Sequence, residues 1–149
     1  TDKDIIKELI KASEKGVKII LIIRGICCLI PEIIGKTSNI KVISIVGRFL
    51  EHSRIYAFGT KEERKIYISS GDMMTRNTEH RVEISCPITS QESKDKIEHI
   101  LEVIMKDNTK ARVLQNSKRY LRLIPKIGEE SINSQETFMK EVYENKEIL

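Results

Sequence analysis

The sequence lacks the features of small disulfide-rich or metal-stapled domains. Its 149 residues include no tryptophan, three prolines and three cysteines. Cys27 and Cys28 are adjacent and Cys86 stands apart, so no Cys-x-x-Cys pair or Cys/His spacing supports a zinc site or a disulfide framework. We therefore expect reduced, partly buried thiols. A chain of this length buries enough surface to fold without such staples, and we predict one domain over residues 1–149.

Long apolar runs and low-complexity linkers are also missing, and we expect no secretory signal. The apolar run Ile19–Ile23 stops at Arg24, well short of the about 20 residues that cross a membrane. No repeat or linker divides the chain. With 40% hydrophobic and 32% charged residues, the composition is that of a globular domain, which we expect to be cytoplasmic.

What the chain does have is arginine concentrated in one segment. The net charge is only +4, but residues 24–81 hold ten basic against six acidic side chains. Six of the nine arginines lie there: Arg24, Arg48, Arg54, Arg64, Arg76 and Arg81. Arginine recognises oxyanions such as phosphate through paired hydrogen bonds. The distribution indicates either a phosphate-binding surface or a solvated basic face.

Apolar periodicity predicts an α/β fold, a mixed β-sheet flanked by α-helices. Residues 4–15 have helical spacing, and Lys15-Gly16 is typical of a C-terminal cap. Two β-branched runs, 17–23 and 40–46, predict strands covered on both faces. A loop over residues 25–39 joins these two strands.

The rest of the chain alternates in the same way. Hairpins are predicted over 54–69 and 111–124, a strand over 81–88, a helix after Thr89 and another from about Ser134. Thr89 and Glu92 form a candidate capping box. Phe138 and Val142 are expected to face inward, and Met73-Met74 to fill the core.

His52 and Arg54 form the most suggestive local pattern. Residues two apart in an extended chain share a face, so the imidazole can handle a proton while the guanidinium neutralises one anion. The turn Ser69–Asp72 ends a strand, where backbone N–H groups can meet a phosphate oxygen. Arg24 directly follows the first strand and can point into the same crevice. The bland alternative is an ordinary H-x-R within a strand.

The acidic residues near this pattern are Asp72, Glu51 and Glu83. They lack the paired spacing of an acid–base pair or a metal site, so we predict no metal ligands and expect these carboxylates to hold arginines by ion pairs. His80 and His99 are predicted to be surface residues.

The sequence resembles the last catalytic, phospholipase D-like domain of bacterial polyphosphate kinases. Four long blocks carry the resemblance: IRGICCLIP (23–31), VISIVGRFLEHSRIY (42–56), IYISSGDMMTRN (66–77) and RVEISCPI (81–88). Two more follow: MKDNTKARVLQ (105–115) and NSQETFM (133–139). The resemblance implies reversible transfer of the terminal phosphate of ATP onto inorganic polyphosphate, through a phosphohistidine in a preceding domain that no block matches.

Position by position, the resemblance implies that His52 is a catalytic histidine that contacts ATP and acts as acid or base. It implies that Arg24 binds an ATP phosphate, and that Arg54, Arg76 and Arg81 extend the basic surface for ATP or polyphosphate. The ligands for Mg²⁺ and an adenine-stacking tyrosine are expected in the missing part of the enzyme.

The same resemblance implies a C-terminal fragment that is inactive when isolated. Its expected partners are ATP, ADP, polyphosphate, the remaining domains of the same enzyme and, at full length, further copies of that enzyme. Nucleic acid and a transmembrane segment are not expected, and membrane association of the full-length enzyme is left open.

Three positions depart from the family pattern. Gly71 replaces an alanine, Thr78-Glu79-His80 replaces a Leu-Asp-Arg triplet, and Glu32 stands where glycine is common.

Two other functions stay open. One is a homodimeric phospholipase D-like phosphodiesterase or nuclease, which would want H-x-K and G-S-x-N where this chain has Arg54 and Ser-Ser-Gly-Asp. The other is a non-catalytic polyanion-binding module, whose binding would fall steeply with salt.

Overall fold

Eleven helices and strands lie within residues 2–60 and 62–144, the part of the chain that this computed structural model describes. The helices are α1 (Lys3–Glu14), α2 (Thr75–His80), α3 (Gln91–Lys106) and α4 (Ser134–Glu144). The strands are β1 (Ile19–Ile22), β2 (Ile40–Ile45), β3 (Ile55–Phe58), β4 (Lys65–Ser69), β5 (Ser85–Ile88), β6 (Ala111–Leu114) and β7 (Tyr120–Arg122). They form one sheet of order β1-β2-β6-β7 and a second of order β3-β4-β5.

The four-stranded sheet is mixed, as predicted. β1 and β2 are parallel, with Ile19 opposite Ile40, whereas β6 and β7 are antiparallel to their neighbours. The segment 23–39 carries the chain from the carboxyl end of β1 back to the start of β2. Because parallel strands end at the same edge of a sheet, Arg24 and the loop of residues 46–53 lie along one edge.

β2 is buried on both faces, but β1 is not. One face of β2 packs in a cluster with Leu29 and the helix α1, and the other packs with Ala111 and the helix α3. On β1 the side chains alternate, and Ile20 and Ile22 are 51% and 36% exposed. The prediction of a doubly covered first strand is therefore wrong, since β1 is an edge strand and α1 covers only one of its faces.

Two predicted boundaries also differ from the structure. Residues 75–80 form the short helix α2, which was not predicted because these six residues show no apolar periodicity. The strand predicted to start at residue 81 begins instead at Ser85, as β5. Helix α3 is capped by the hydroxyl of Ser90. The predicted capping box at Thr89 is wrong, because the Glu92 carboxylate pairs with a lysine one turn further on.

Two side chains expected inside are exposed. Met73 lies in the turn after β4, and Val142 follows the buried first residues of α4 by two turns. Phe138 is half-buried, as predicted. Of the cysteines only Cys27 is half-buried, and burial raises the pKa of its thiol.

The turn between α3 and β6 is built around the carboxylate of Asp107, which is 1% exposed. Its Oδ1 accepts the backbone N–H groups of Thr109, Lys110 and Ala111 at 3.0, 2.7 and 3.1 Å. Its Oδ2 accepts the N–H and the hydroxyl of Ser134, both at 2.8 Å. One carboxylate thereby fixes the start of α4 against the start of β6.

Replacing the carboxylate of Asp107 tests how much it contributes to the free energy of unfolding. Burial alone would raise the pKa of Asp107, but the hydrogen bonds from Ser134, Lys110 and Thr109 outweigh burial and lower it. We expect Asp107→Asn to lower the free energy of unfolding by about 2–4 kcal/mol, because an amide cannot accept all five bonds. Urea unfolding measures this, with the exposed Asp95→Asn as control at below about 0.5 kcal/mol.

The pH dependence of this loss has a definite sign. Since the folded pKa is depressed, the stabilisation is complete above the unfolded value of about 3.9 and disappears as pH falls through the lower folded value. The gap between wild type and Asp107→Asn should therefore close in acid. A gap that stays constant down to the acid transition contradicts the assignment.

Glu32 occupies a conformation that suits glycine, with φ of 60°. This explains why glycine is common at this position in the family pattern, since a side chain in the left-handed region costs roughly 1 kcal/mol. We expect Glu32→Gly to raise the free energy of unfolding by up to about 1 kcal/mol. The matched reverse change is Gly35→Ala, at φ of 75°, which should lower it by a similar amount. Stabilisation by both changes would contradict this reading.

Candidate phosphate-binding site

The centre of the site is a two-pronged ion pair between Arg54 and Asp72. Arg54 Nε donates to Asp72 Oδ1 at 2.9 Å and Nη2 donates to Oδ2 at 3.3 Å. Antiparallel pairing of Ile55 with Ile68 brings the residue before β3 and the turn after β4 to the same end of the hairpin. The prediction that Asp72 holds an arginine is confirmed.

Two further predicted arginines act on the same carboxylate. The hydrogen bond from Arg54 is the main reason that the pKa of Asp72 lies below its ordinary value, and the positive charges of Arg54, Arg24 and Arg76 lower it further against the effect of burial. Arg24 lies just after the end of β1, and Arg76 lies on α2. The structure therefore brings these three arginines within electrostatic reach of one acid.

Glu83 is a second acid in the cluster, held by neutral donors. Its two carboxylate oxygens accept the hydroxyl of Ser70 and the amide of Asn77, each at 2.5 Å. These bonds, in that order, lower the pKa of Glu83, and the charges of Arg81 and Arg54 lower it further. The prediction that Glu83 pairs directly with an arginine is wrong, because both oxygens already accept neutral donors.

Gly71 lets the turn approach Glu83. A Cβ at Gly71 would stand 2.9 Å from the Glu83 side chain at Cγ, which is held at both ends of its carboxylate. Tyr56 secures the same turn by donating its hydroxyl to the Gly71 carbonyl at 2.7 Å. The departure from alanine at this position thus permits tighter packing here.

The aromatic side chains of the hairpin pack across it. Tyr56 stands opposite Tyr67, and the rings of Phe58 and Tyr67 meet edge to face at 6.3 Å.

The short helix α2 is tied to the start of α1 through the carboxylate of Asp2. The Thr78 hydroxyl donates to Asp2 Oδ2 at 2.7 Å, and Asp2 Oδ1 also caps the start of α1. Thr78 belongs to the triplet that departs from the family pattern. In this chain that departure supplies one of the contacts that hold the helix carrying Arg76.

His52 lies in the exposed loop that follows β2. Its carbonyl oxygen accepts Arg54 Nη1 at 3.4 Å, and its imidazole is exposed. Arg54 thus uses all three of its nitrogens within the chain, whereas Arg24, Arg76 and Arg81 are exposed. Three guanidinium groups and one imidazole of the site are therefore exposed to solvent. Arg54 instead links the loop before β3 to the turn after β4 through Asp72, and we call this ion pair the brace of the site.

The other histidines lie outside this cluster, as predicted. His80 is exposed beside Glu79, and His99 pairs with Glu141 at 3.0 Å, across α3 and α4.

Two buried polar residues that support the site were not singled out from the sequence. Asn77 and Gln135 are 6% and 7% exposed. Gln135 Nε2 donates to Glu51 Oε1 at 2.6 Å, so the predicted ion pair of Glu51 with an arginine is wrong. Amide side chains are usually exposed, and a single sequence gives no signal that these two are not.

Among the described residues, no three or more His, Cys, Asp or Glu side chains lie close enough to hold a metal ion. In the same part of the chain, none of the helices has the length and apolar character to cross a membrane.

Fold and site together define a mixed α/β domain that presents an arginine cluster and a histidine at the edge of a partly parallel sheet. The profile of the family described as polyphosphate kinase C-terminal domain 2 matches residues 1–135. The chain belongs to this family.

Named relatives agree with this assignment. The chain is 50% identical to a polyphosphate kinase of Bacillus cereus over 145 residues and 47% identical to one of Helicobacter pylori over 140 residues. These matches cover 97% and 94% of this chain but 20% of each relative. The chain therefore spans about a fifth of the length of these relatives.

A solved structure confirms the fold. The crystal structure of polyphosphate kinase from Porphyromonas gingivalis matches with a TM-score of 0.90 at 36% identity, over 97% of this chain and 22% of that one. The expected α/β, phospholipase D-like architecture is confirmed.

The brace between Arg54 and Asp72 can be measured by a double-mutant cycle in urea. Because the two side chains are 18% and 28% exposed, solvent screens the pair, and we expect Arg54→Lys and Asp72→Asn to couple by about 1 kcal/mol. The pair of Arg64 and Glu98 meets at a single 3.7 Å contact and serves as control, at below about 0.5 kcal/mol. Additive effects at residues 54 and 72 would contradict the brace.

Proposed function

We propose that this chain supplies the phosphate-binding side of a polyphosphate kinase active site, which transfers the terminal phosphate of ATP reversibly onto inorganic polyphosphate. The observation that carries the proposal is the cluster at the sheet edge. There, four guanidinium groups surround the two carboxylates Asp72 and Glu83. The excess positive charge stands beside the exposed histidine.

The chemistry of phosphoryl transfer matches this arrangement. The protein contributes mainly position and charge neutralisation. Arg24, Arg76 and Arg81 are exposed and can donate to phosphate oxygens, while Asp72 holds Arg54 in place. Losing one donor to the oxyanion of a transition state typically costs on the order of 2.7–4 kcal/mol of transition-state stabilisation.

His52 is proposed as the catalytic acid or base. An imidazole can give or take a proton near neutral pH, and that of His52 is open to a ligand. Its carbonyl oxygen accepts a hydrogen bond from Arg54. The residue proposed to transfer a proton is therefore bonded directly to the arginine cluster. In the proposed reaction His52 protonates or hydrogen-bonds the oxygen that leaves the transferred phosphate.

The remaining parts of the reaction are proposed to lie in other domains of the same enzyme. These are the phosphohistidine nucleophile, the Mg²⁺ ligands and the adenine-stacking tyrosine. ATP, ADP and polyphosphate are the proposed ligands, in a cytoplasmic enzyme that forms homo-oligomers. That residues 1–149 form one domain stays a prediction.

A chimera tests the proposal. This chain would replace the matched 145 residues of the Bacillus cereus relative, and polyphosphate synthesis from ATP would be measured. We expect Arg24→Ala and His52→Ala each to lower kcat/KM by about 100-fold or more, the scale of a lost transition-state donor. Arg119→Ala, in the β6–β7 hairpin far from the carboxyl edge of β1, should change it less than about twofold.

The pattern of losses distinguishes the alternatives. Normal turnover with His52→Ala would contradict the catalytic role. Equal, salt-dependent losses from Arg119→Ala and Arg24→Ala would favour a non-specific polyanion-binding module. Hydrolysis of DNA or of simple diesters by the unmodified chimera would favour the phosphodiesterase alternative.

A further inference from the structure

The loop that carries His52 makes few hydrogen bonds of its own. Between β2 and Arg54, the side chains of Phe49 and Leu50 are 49% and 72% exposed. Among the described residues, the hydrogen bonds to residues 46–53 come from Arg54 and from the side chain of Gln135. The position of His52 therefore depends on these two anchors.

Gln135 makes three of these bonds with one amide group. Its Oε1 accepts the N–H of Phe49 at 3.0 Å, and its Nε2 donates to the carbonyl of Phe49 at 2.9 Å and to Glu51 at 2.6 Å. Only this amide orientation matches every donor with an acceptor. The three bonds grip the backbone and the side chain immediately before His52.

The contact is also fixed by packing. A Cβ at Gly47 would overlap Gln135 Oε1, so glycine at this position lets the loop approach the amide without displacing it. Gln135 is in the first turn of α4, directly after Ser134, whose backbone and hydroxyl bind Asp107. The backbone next to Gln135 is thus fixed by the buried carboxylate of Asp107, which accepts hydrogen bonds on both of its oxygens.

We propose that Gln135 is a positioning residue of the phosphoryl-transfer site, which sets the place of the His52 imidazole by holding Phe49 and Glu51. This inference rests on the proposed function of His52. Gln135 acts through the loop, and it is not assigned a contact with the substrate. Its role requires an amide, because the loop presents one donor and two acceptors to it.

An isosteric exchange provides the test in the same chimera. In Gln135→Glu an oxygen replaces Nε2 and faces the Phe49 carbonyl and the Glu51 carboxylate, so two attractions become repulsions. We expect kcat to fall by about 30–100-fold, the scale of a misplaced catalytic group, with KM for ATP changed less than about threefold. Glu136→Gln, the exposed neighbour on α4, should leave both constants within about twofold.

A second exchange distinguishes positioning from simple damage. Combining Glu51→Gln with Gln135→Glu restores a donor and an acceptor in reversed order, and we expect it to recover kcat by roughly tenfold over Gln135→Glu alone. No recovery, with both proteins equally folded, would contradict the proposed contact.

The three histidines of this chain give a readout independent of activity. In NMR spectra of the chain, Gln135→Glu should shift the His52 ring signal and leave His80 and His99 in place. His99 reports on α4, because it pairs with Glu141. A shift of His99 as large as that of His52 would mean that the helix itself is damaged and would overturn the proposal.

The failures of the two proposals are distinguishable. If Gln135→Glu leaves kcat and the His52 signal unchanged while His52→Ala abolishes activity, the positioning role is wrong and the proposed function stands. If His52→Ala is fully active, the proposed function fails, whatever Gln135→Glu does to the loop.

Discussion

The buried carboxylate of Asp107 is the interaction on which the geometry of the site depends. It lies far from Arg24 in the chain and touches none of the site arginines in its hydrogen bonds, yet it fixes where α4 begins. The start of α4 places Gln135, and Gln135 grips the loop that carries His52. A negative charge with five protein donors can remain buried because its hydrogen bonds replace those of water, so this turn is a rigid reference point for the sheet edge.

The proposed anion site contains two acidic side chains, Asp72 and Glu83, among its arginines. Asp72 engages Arg54 through two bonds, and Glu83 is held by Ser70 and Asn77. These carboxylates reduce the mutual repulsion of the arginines, and Asp72 restrains Arg54 in advance of a ligand. Preorganised charge loses less free energy on binding phosphate than flexible side chains do. The exposed arginines keep the surplus that an oxyanion needs.

The sequence-based predictions succeeded where a feature depends on neighbouring residues alone. The alternation of helix and strand and the placement of Arg24 after β1 both followed from apolar periodicity. They failed where a partner distant in sequence decides the outcome. Glu51 meets an amide 84 residues away, β1 lies at a sheet edge that its own apolar run does not reveal, and α2 has no periodic signature. The phosphate chemistry rested on family resemblance, and the geometry added that Arg54 is a brace.

The central claim is that the arginines at this sheet edge form a single phosphate site beside His52. Its most direct test is a titration of the chain with inorganic tripolyphosphate, followed by the NMR signals of the arginine Nε–H groups and the histidine rings. The account predicts that Arg24, Arg76, Arg81 and His52 shift together with one dissociation constant, while Arg112, Arg119 and Arg122 do not move. Shifts spread evenly over all nine arginines, or confined to the last three, would contradict it.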